Sequence, residues 1–336
     1  MSKGAKRVLI TGAAGQIGYS LIPLFCDGKA LGEDQDIILH LLDIPQSKGA
    51  LEGIVMEIHD GAYPLVQDVV PTVDPAIGFA NVDVAVLVGG FPRLQGMTRA
   101  DLLQKNCAIF KEQGECLAKH SSKDCKVLVV ANPANTNALI AYQCCQAAGG
   151  SIPKENFTCL TRLDMNRASS QIAVKGKVPV RNVKNVTIWG NHSADQYPDV
   201  SHATITSEGK TEKVENFMSD HKTWLEEEFI STVQKRGAAV ISARGKSSAM
   251  SAANAVKDHI HDWLLGTPEG QVVSMGVISD GNPYGVAEGL IYSFPVTCQG
   301  GQWKHADGIS VSDAGRACLQ VNQDKLQEEI SMANAK

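Results

Sequence analysis

Four near-continuous apolar runs of strand length, the first three each followed by a stretch of helical spacing or by glycine, recur through the first 130 residues of the chain. The runs are Arg7-Val8-Leu9-Ile10-Thr11, Ile37 to Asp43, Val82 to Val88 and Lys126 to Val130. Helical spacing falls over Gln16–Cys26, Gly49–Gly61 (Leu51, Ile54, Val55, Ile58) and residues 100–120. A strand that is apolar at every position has no solvent face to alternate toward. Such runs, separated by helices, predict a parallel sheet covered on both sides, the doubly wound α/β architecture of Rossmann type. Past about residue 155 the alternation stops. Long helices are expected near 163–175, 222–244 and 247–265, mixed with strands near 183–189, 271–278 and 291–298, which reads as a C-terminal α+β substrate domain. Turn chemistry at Gly149-Gly150-Ser151-Ile152-Pro153 sets the expected boundary, giving domains 1–153 and 154–336.

Composition excludes several classes of partner. The net charge is −5 with no long basic run, so a phosphate-binding face for nucleic acid is not expected. No apolar stretch approaches the roughly 18 residues of a membrane span. The opening residues carry no apolar signal core, and a cytoplasmic location is expected. Nine scattered cysteines without a C-x-x-C pair read as reduced thiols, and no metal site is expected.

Gly12-Ala13-Ala14-Gly15-Gln16-Ile17-Gly18 joins the first strand to the first helix. Gly12 suits a tight turn, Gly15 close approach of backbone N–H groups to a pyrophosphate, and Gly18 close helix–strand packing. Asp43 ends the second strand, where a carboxylate accepts hydrogen bonds from ribose hydroxyls and repels a 2′-phosphate. Together they predict NAD rather than NADP. Asp43 read alone could equally cap the following loop.

Four further segments put polar groups where open α/β sheets bind ligands. The loop from Gly89 to Arg99 carries Arg93 and Arg99. Asn132-Pro133 follows a strand. Asp164 and Arg167 share one helix face at i, i+3, and His192 lies in a turn after a strand. Taken singly these are a surface ion pair, solvated arginines and an ordinary histidine. Taken together they are a general base, a carboxylate to orient it and guanidinium groups for carboxylates, the parts needed to oxidise a 2-hydroxy acid.

The strings TGAAGQIGYSL, FPRLQGMTRADLL, ANPANTN, TRLDMNRA, IWGNHSADQYPDV, RGAAVI and VSMGVISDGNPYGV, spread over residues 11 to about 296, resemble the lactate/malate dehydrogenase superfamily, and within it the cytosolic malate-acting branch. The resemblance implies reversible hydride transfer between (S)-malate and NAD, giving oxaloacetate and NADH. It implies His192 as proton acceptor, Asp164 as its partner and Arg167 on the 1-carboxylate. Arg99 would polarise the reacting oxygen on loop closure, Arg93 would hold the distal carboxylate, and Asn132 would touch substrate and nicotinamide ribose. Ser247 is expected near the substrate pocket. A homodimer is implied too. Leu94 and Met165 depart from a basic residue and a histidine common at those places. The alternatives are a lactate or aromatic 2-oxo acid enzyme, which would put a neutral residue at 93, and a non-catalytic NAD-binding scaffold, which would have lost one of the charged residues.

Overall fold

Lys6–Thr11 forms β1, and its last four residues are buried, which is why Val8, Leu9 and Ile10 are apolar without alternation. In the computed structural model of the protein, residues 4–91 and 99–334 are described, the side chains of residues 99 and 100 excepted. After β1 come α1 (Gln16–Cys26), β2 (Ile37–Leu42), α2 (Lys48–Asp60), β3 (Val66–Thr72), the short α3 (Pro75–Gly78), β4 (Val84–Leu87), α4 (Arg99–His120), β5 (Lys126–Val129), α5 (Ala134–Ala147) and β6 (Phe157–Cys159). The strands lie in the order β6-β5-β4-β1-β2-β3, and every pair is parallel. The order reverses between β1 and β4. Thr11 is in register with both Leu42 and Leu87, so β1, β2 and β4 end level with one another. Loops leaving these ends converge, as at the switch point of any doubly wound sheet. β3 and α5 carry no clear periodic signal in the sequence. β3 is a half-exposed edge strand and holds Pro71, which edges tolerate.

The chain continues through α6 (Arg162–Lys175), β7 (Val183–Lys184), β8 (Thr187–Trp189), β9 (Tyr197–Asp199), β10 (Thr204–Ser207), β11 (Lys210–Lys213), α7 (Val214–Phe217), α8 (Lys222–Glu227), α9 (Phe229–Arg244), α10 (Met250–Leu265), β12 (Val273–Ile278), β13 (Ile291–Gln299), β14 (Gln302–His305) and α11 (Asp313–Asn334). Its strands pair antiparallel, as β12-β13-β14, β7-β10-β11 and β8-β9. The strand expected over 183–189 is two strands in different sheets. Asn185 adopts φ +59 between them, and its amide bonds the backbone of Gly270 and Val272. Asparagine tolerates that left-handed turn where β-branched residues do not. The helix expected over 222–244 is interrupted at Glu228, where Phe229 turns inward to 1 % exposure and meets Trp224 edge to face at 5.6 Å.

The chain divides into two compact units. Unit 1 gathers Met1–Cys159, Ala249–His261 and Glu328–Lys336, and unit 2 gathers Leu160–Ser248 and Asp262–Gln327. The core of unit 1 is the sheet interior (Val8, Leu9, Ile10, Leu39, Leu41, Val86, Val127). That of unit 2 centres on Trp189, edge to face with Tyr284 at 4.7 Å and with Phe294 at 6.3 Å. All nine cysteines are free thiols. Burial pushes Cys26 up to about 12 and Cys145 up to about 11, which keeps both in the unreactive thiol form. Among the described residues no helix is long and apolar enough to cross a membrane, and no His/Cys/Asp/Glu group could hold a metal.

Candidate active site

In unit 1 the glycines make a cradle at the level ends of β1 and β4. Gly12 has φ +66, and a Cβ there would stand 2.8 Å from Gly89 Cα, so the turn requires glycine on both counts. A Cβ on Gly18 would stand 2.5 Å from the Gly12 carbonyl oxygen, which fixes how closely α1 approaches β1. Gly15 is the N-cap of α1 and carries no side-chain cap bond. The first-turn N–H groups at Gln16, Ile17 and Gly18 therefore present the positive end of the helix to an anion. Asp43, just past β2, does two things. Its Oδ2 accepts from the Ala14 N–H at 2.9 Å, inside the glycine turn, and its Oδ1 accepts from the Ile44 N–H at 2.8 Å. The carboxylate thus braces the turn and caps its own loop. Each oxygen keeps a second lone pair for a ribose hydroxyl. This set fits a dinucleotide: glycine-only space for a pyrophosphate, an uncapped helix N-terminus, and a carboxylate at the second strand end.

In unit 2, Asp164 sits in the first turn of α6 with 0 % exposure. Its Oδ2 is hydrogen-bonded to His192 Nδ1, and its Oδ1 accepts from Arg167 Nη1 at 3.2 Å. The i, i+3 spacing that α6 imposes brings Arg167 to the same carboxylate. Arg167 Nη2 donates to Ser248 Oγ at 3.2 Å. Burial alone would push the Asp164 carboxyl up. The charge and hydrogen bond of His192, the Arg167 guanidinium and a hydrogen bond from the Gln196 side chain outweigh it and hold the carboxyl below its ordinary range. A buried carboxylate accepting from Nδ1 favours the tautomer with its proton there and makes Nε2 the basic nitrogen.

The depressed Asp164 carboxyl has a consequence for stability. Its folded value lies below that of the unfolded chain, about 3.9 for Asp. The stability it contributes is therefore present above about pH 4 and lost as pH falls through the folded value. Thermal melts between pH 7 and pH 3 should show wild type losing stability on acidification more steeply than Asp164→Asn. Parallel curves would mean that this carboxyl titrates alike in both states.

The structure brings Asp164, Arg167 and His192 into one cluster, and Gly12, Gly15, Gln16, Ile17, Gly18 and Asp43 into another. Asn132 is exposed at the turn after β5, joined to Pro133 by a cis peptide bond. Arg93 lies outside the described residues. Arg99 opens α4, and its side chain lies outside them as well. At the 247–248 pair it is Ser248, not the exposed Ser247, whose hydroxyl reaches Arg167. Sequence reasoning missed Ser248 and Gln196. Neither has a local signature, because each meets its partner only across the fold. Met165 Sδ accepts from the buried Ser274 N–H at 3.4 Å, so that position packs α6 against β12 and carries no charge.

Residues 6–158 match the lactate/malate dehydrogenase NAD binding domain, and residues 161–336 match the lactate/malate dehydrogenase alpha/beta C-terminal domain. Malate dehydrogenase 1, cytoplasmic, of Arabidopsis thaliana is 54 % identical over 333 residues, covering 99 % of this chain and 98 % of its own. Among solved structures, a malate dehydrogenase from Naegleria fowleri superposes with a TM-score of 0.91 at 41 % identity, covering 99 % of both chains. A Trichomonas vaginalis lactate dehydrogenase in complex with NADH and oxamate also gives 0.91, at 39 % identity over 98 % of both chains.

Proposed function

The chain belongs to the lactate/malate dehydrogenase family, and from that premise we propose that it is an NAD-dependent malate dehydrogenase of the cytoplasm, interconverting (S)-malate and oxaloacetate. The observation that carries the chemistry is the buried Asp164 holding His192 by Nδ1 beside Arg167. His192 Nε2 takes the C2 hydroxyl proton of malate, and Asp164 stabilises the imidazolium so formed. The guanidinium of Arg167 has five N–H donors. Asp164 and Ser248 each take one, and the others grip the substrate 1-carboxylate. Arg99 is assigned to the reacting oxygen, Arg93 to the distal carboxylate and Asn132 to substrate and nicotinamide ribose, all by family resemblance. The homodimer is proposed on the same ground. Bound NAD supplies the acceptor for the C2 hydride. Gly12, Gly15, Gln16, Ile17 and Gly18 would hold its pyrophosphate and Asp43 its adenine-side ribose. We assign 1–153 to cofactor binding and 154–336 to substrate binding.

Overall likeness does not choose between malate and lactate, because a relative of each kind superposes equally well. Arg93 favours the dicarboxylate. Steady-state rates with oxaloacetate, pyruvate and phenylpyruvate, each with NADH and NADPH, test the proposal. Oxaloacetate with NADH should be the most efficient pair by a wide margin, and a preference for either other acid would overturn it.

The cofactor half has its own test. Asp43→Ser removes a charge that repels the 2′-phosphate and should raise the NADPH/NADH efficiency ratio. It also removes the acceptor for the Ala14 N–H, so efficiency with NADH should fall about tenfold or more. Equal use of both cofactors by the unmutated protein would leave Asp43 as a turn brace only.

A further inference from the structure

His192 rides on a segment that runs from Gly190, at the end of β8, to Gln196, before β9. Its side chain is anchored to α6 through Asp164, but its backbone is held by a different element. Asn322 of α11 is fully buried, and its amide spans the segment. Oδ1 accepts from the Asn191 N–H at 2.9 Å, and Nδ2 donates to the Asp195 carbonyl at 2.7 Å. Nδ2 also donates to the Cys318 carbonyl on its own helix at 2.9 Å, which sets the amide plane. A reversed amide would face two carbonyl oxygens with its own oxygen, so one orientation is allowed. The two contacts bracket His192, one residue before it and three after. One helical turn further on, the Lys325 ammonium pairs with the Asp195 carboxylate.

Gly190 shows how close the approach is. It has φ +95, and a Cβ there would stand 2.3 Å from Asn322 Cγ. Glycine at 190 and asparagine at 322 are therefore one device: the first clears the space that the second fills. A fully satisfied buried amide joining two backbone points is a rigid tie, and its loss leaves a donor and an acceptor unpaired.

We propose that Asn322 is a positioning residue for proton transfer, fixing the backbone on which His192 is carried so that Nε2 meets the substrate hydroxyl in reacting geometry. The inference rests on His192 being the base. A shift of about 1 Å in a reacting group can cost on the order of a hundredfold in rate. Asn322→Leu keeps the branched shape and the number of heavy atoms and removes both bonds to the His192 segment. It should lower kcat per NADH-titrated site by about 10- to 100-fold while the NADH dissociation constant stays within about twofold, because the dinucleotide cradle belongs to unit 1. Asn322→Asp keeps the acceptor for Asn191 and loses the donor to Asp195. It also turns an anionic oxygen onto the Asp195 and Cys318 carbonyls, so it should lower kcat at least as far as Asn322→Leu. Asn322→Ala, which removes the bonds without added bulk, serves if the leucine variant does not fold.

The deciding measurement is a double-mutant cycle. In a His192→Asn background the base is gone and its placement no longer matters, so adding Asn322→Leu (or Asn322→Ala) should change the residual rate by less than about twofold. General structural damage would lower that rate by the same factor as in wild type, which would overturn the proposal. So would an Asn322 variant whose rate per titrated site equals wild type. If His192→Asn itself stays active, the base assignment has failed, and this inference fails with it for that separate reason.

Discussion

Replacing His192 with asparagine is expected to slow malate oxidation by about 10²- to 10⁴-fold, the range for loss of a general base, while NADH still binds. Asparagine can still donate from its amide to Asp164, so the buried carboxylate keeps a partner and the fold is spared. What disappears is a nitrogen that can take a proton. The expectation is specific, because the Asp164 bond lies on Nδ1 and leaves Nε2 for the proposed proton-accepting role. Turnover should fall with little change in NADH affinity, since the dinucleotide cradle is formed by other residues. A variant keeping more than about a tenth of wild-type turnover would remove His192 from this role, because one tenfold step corresponds to only about 1.36 kcal/mol.

The second large effect is on substrate choice. Oxaloacetate and malate carry a distal carboxylate that pyruvate and lactate lack. In a water-poor site an unpaired carboxylate costs several kcal/mol, so it needs a cation. Arg93 is the residue assigned to it. Arg93→Gln should reduce efficiency with oxaloacetate by about 30-fold to several thousandfold, the equivalent of the roughly 2–5 kcal/mol lost when a buried charge pair is truncated. Efficiency with pyruvate should hold or rise, because a guanidinium no longer faces a methyl group. Arg99→Gln should behave differently and depress every 2-oxo acid alike, since it acts on the oxygen they share. Comparing kcat/KM for the two acids in both variants reads out each assignment. Equal losses for oxaloacetate and pyruvate in Arg93→Gln would show that specificity is set elsewhere.

The amino-acid sequence by itself determined the parallel sheet, most helix positions and the dinucleotide turn. Each of these depends on neighbours in the chain: period and apolarity for the strands and helices, glycine spacing for the turn. Asp43 was legible because it stands at a strand end that periodicity locates. Asp164 and Arg167 were legible as a pair from their i, i+3 spacing, and His192 as a candidate base. That the histidine meets the pair was implied only by family resemblance, since nothing in spacing joins residues 164 and 192. Tertiary structure decided the rest. It reversed the strand order between β1 and β4, so that Gly12 and Gly89 approach each other. It divided the 183–189 run at Asn185 and placed its halves in different sheets. It chose Ser248 over Ser247 as the neighbour of Arg167, gave Asp164 the amide of Gln196, and tied Asn191 to Asn322 across 131 residues. The physical reason is the same in each case. Periodicity belongs to consecutive residues, whereas a buried polar group must find a partner wherever the fold brings one within about 3 Å, and that distance exists only after the chain has packed.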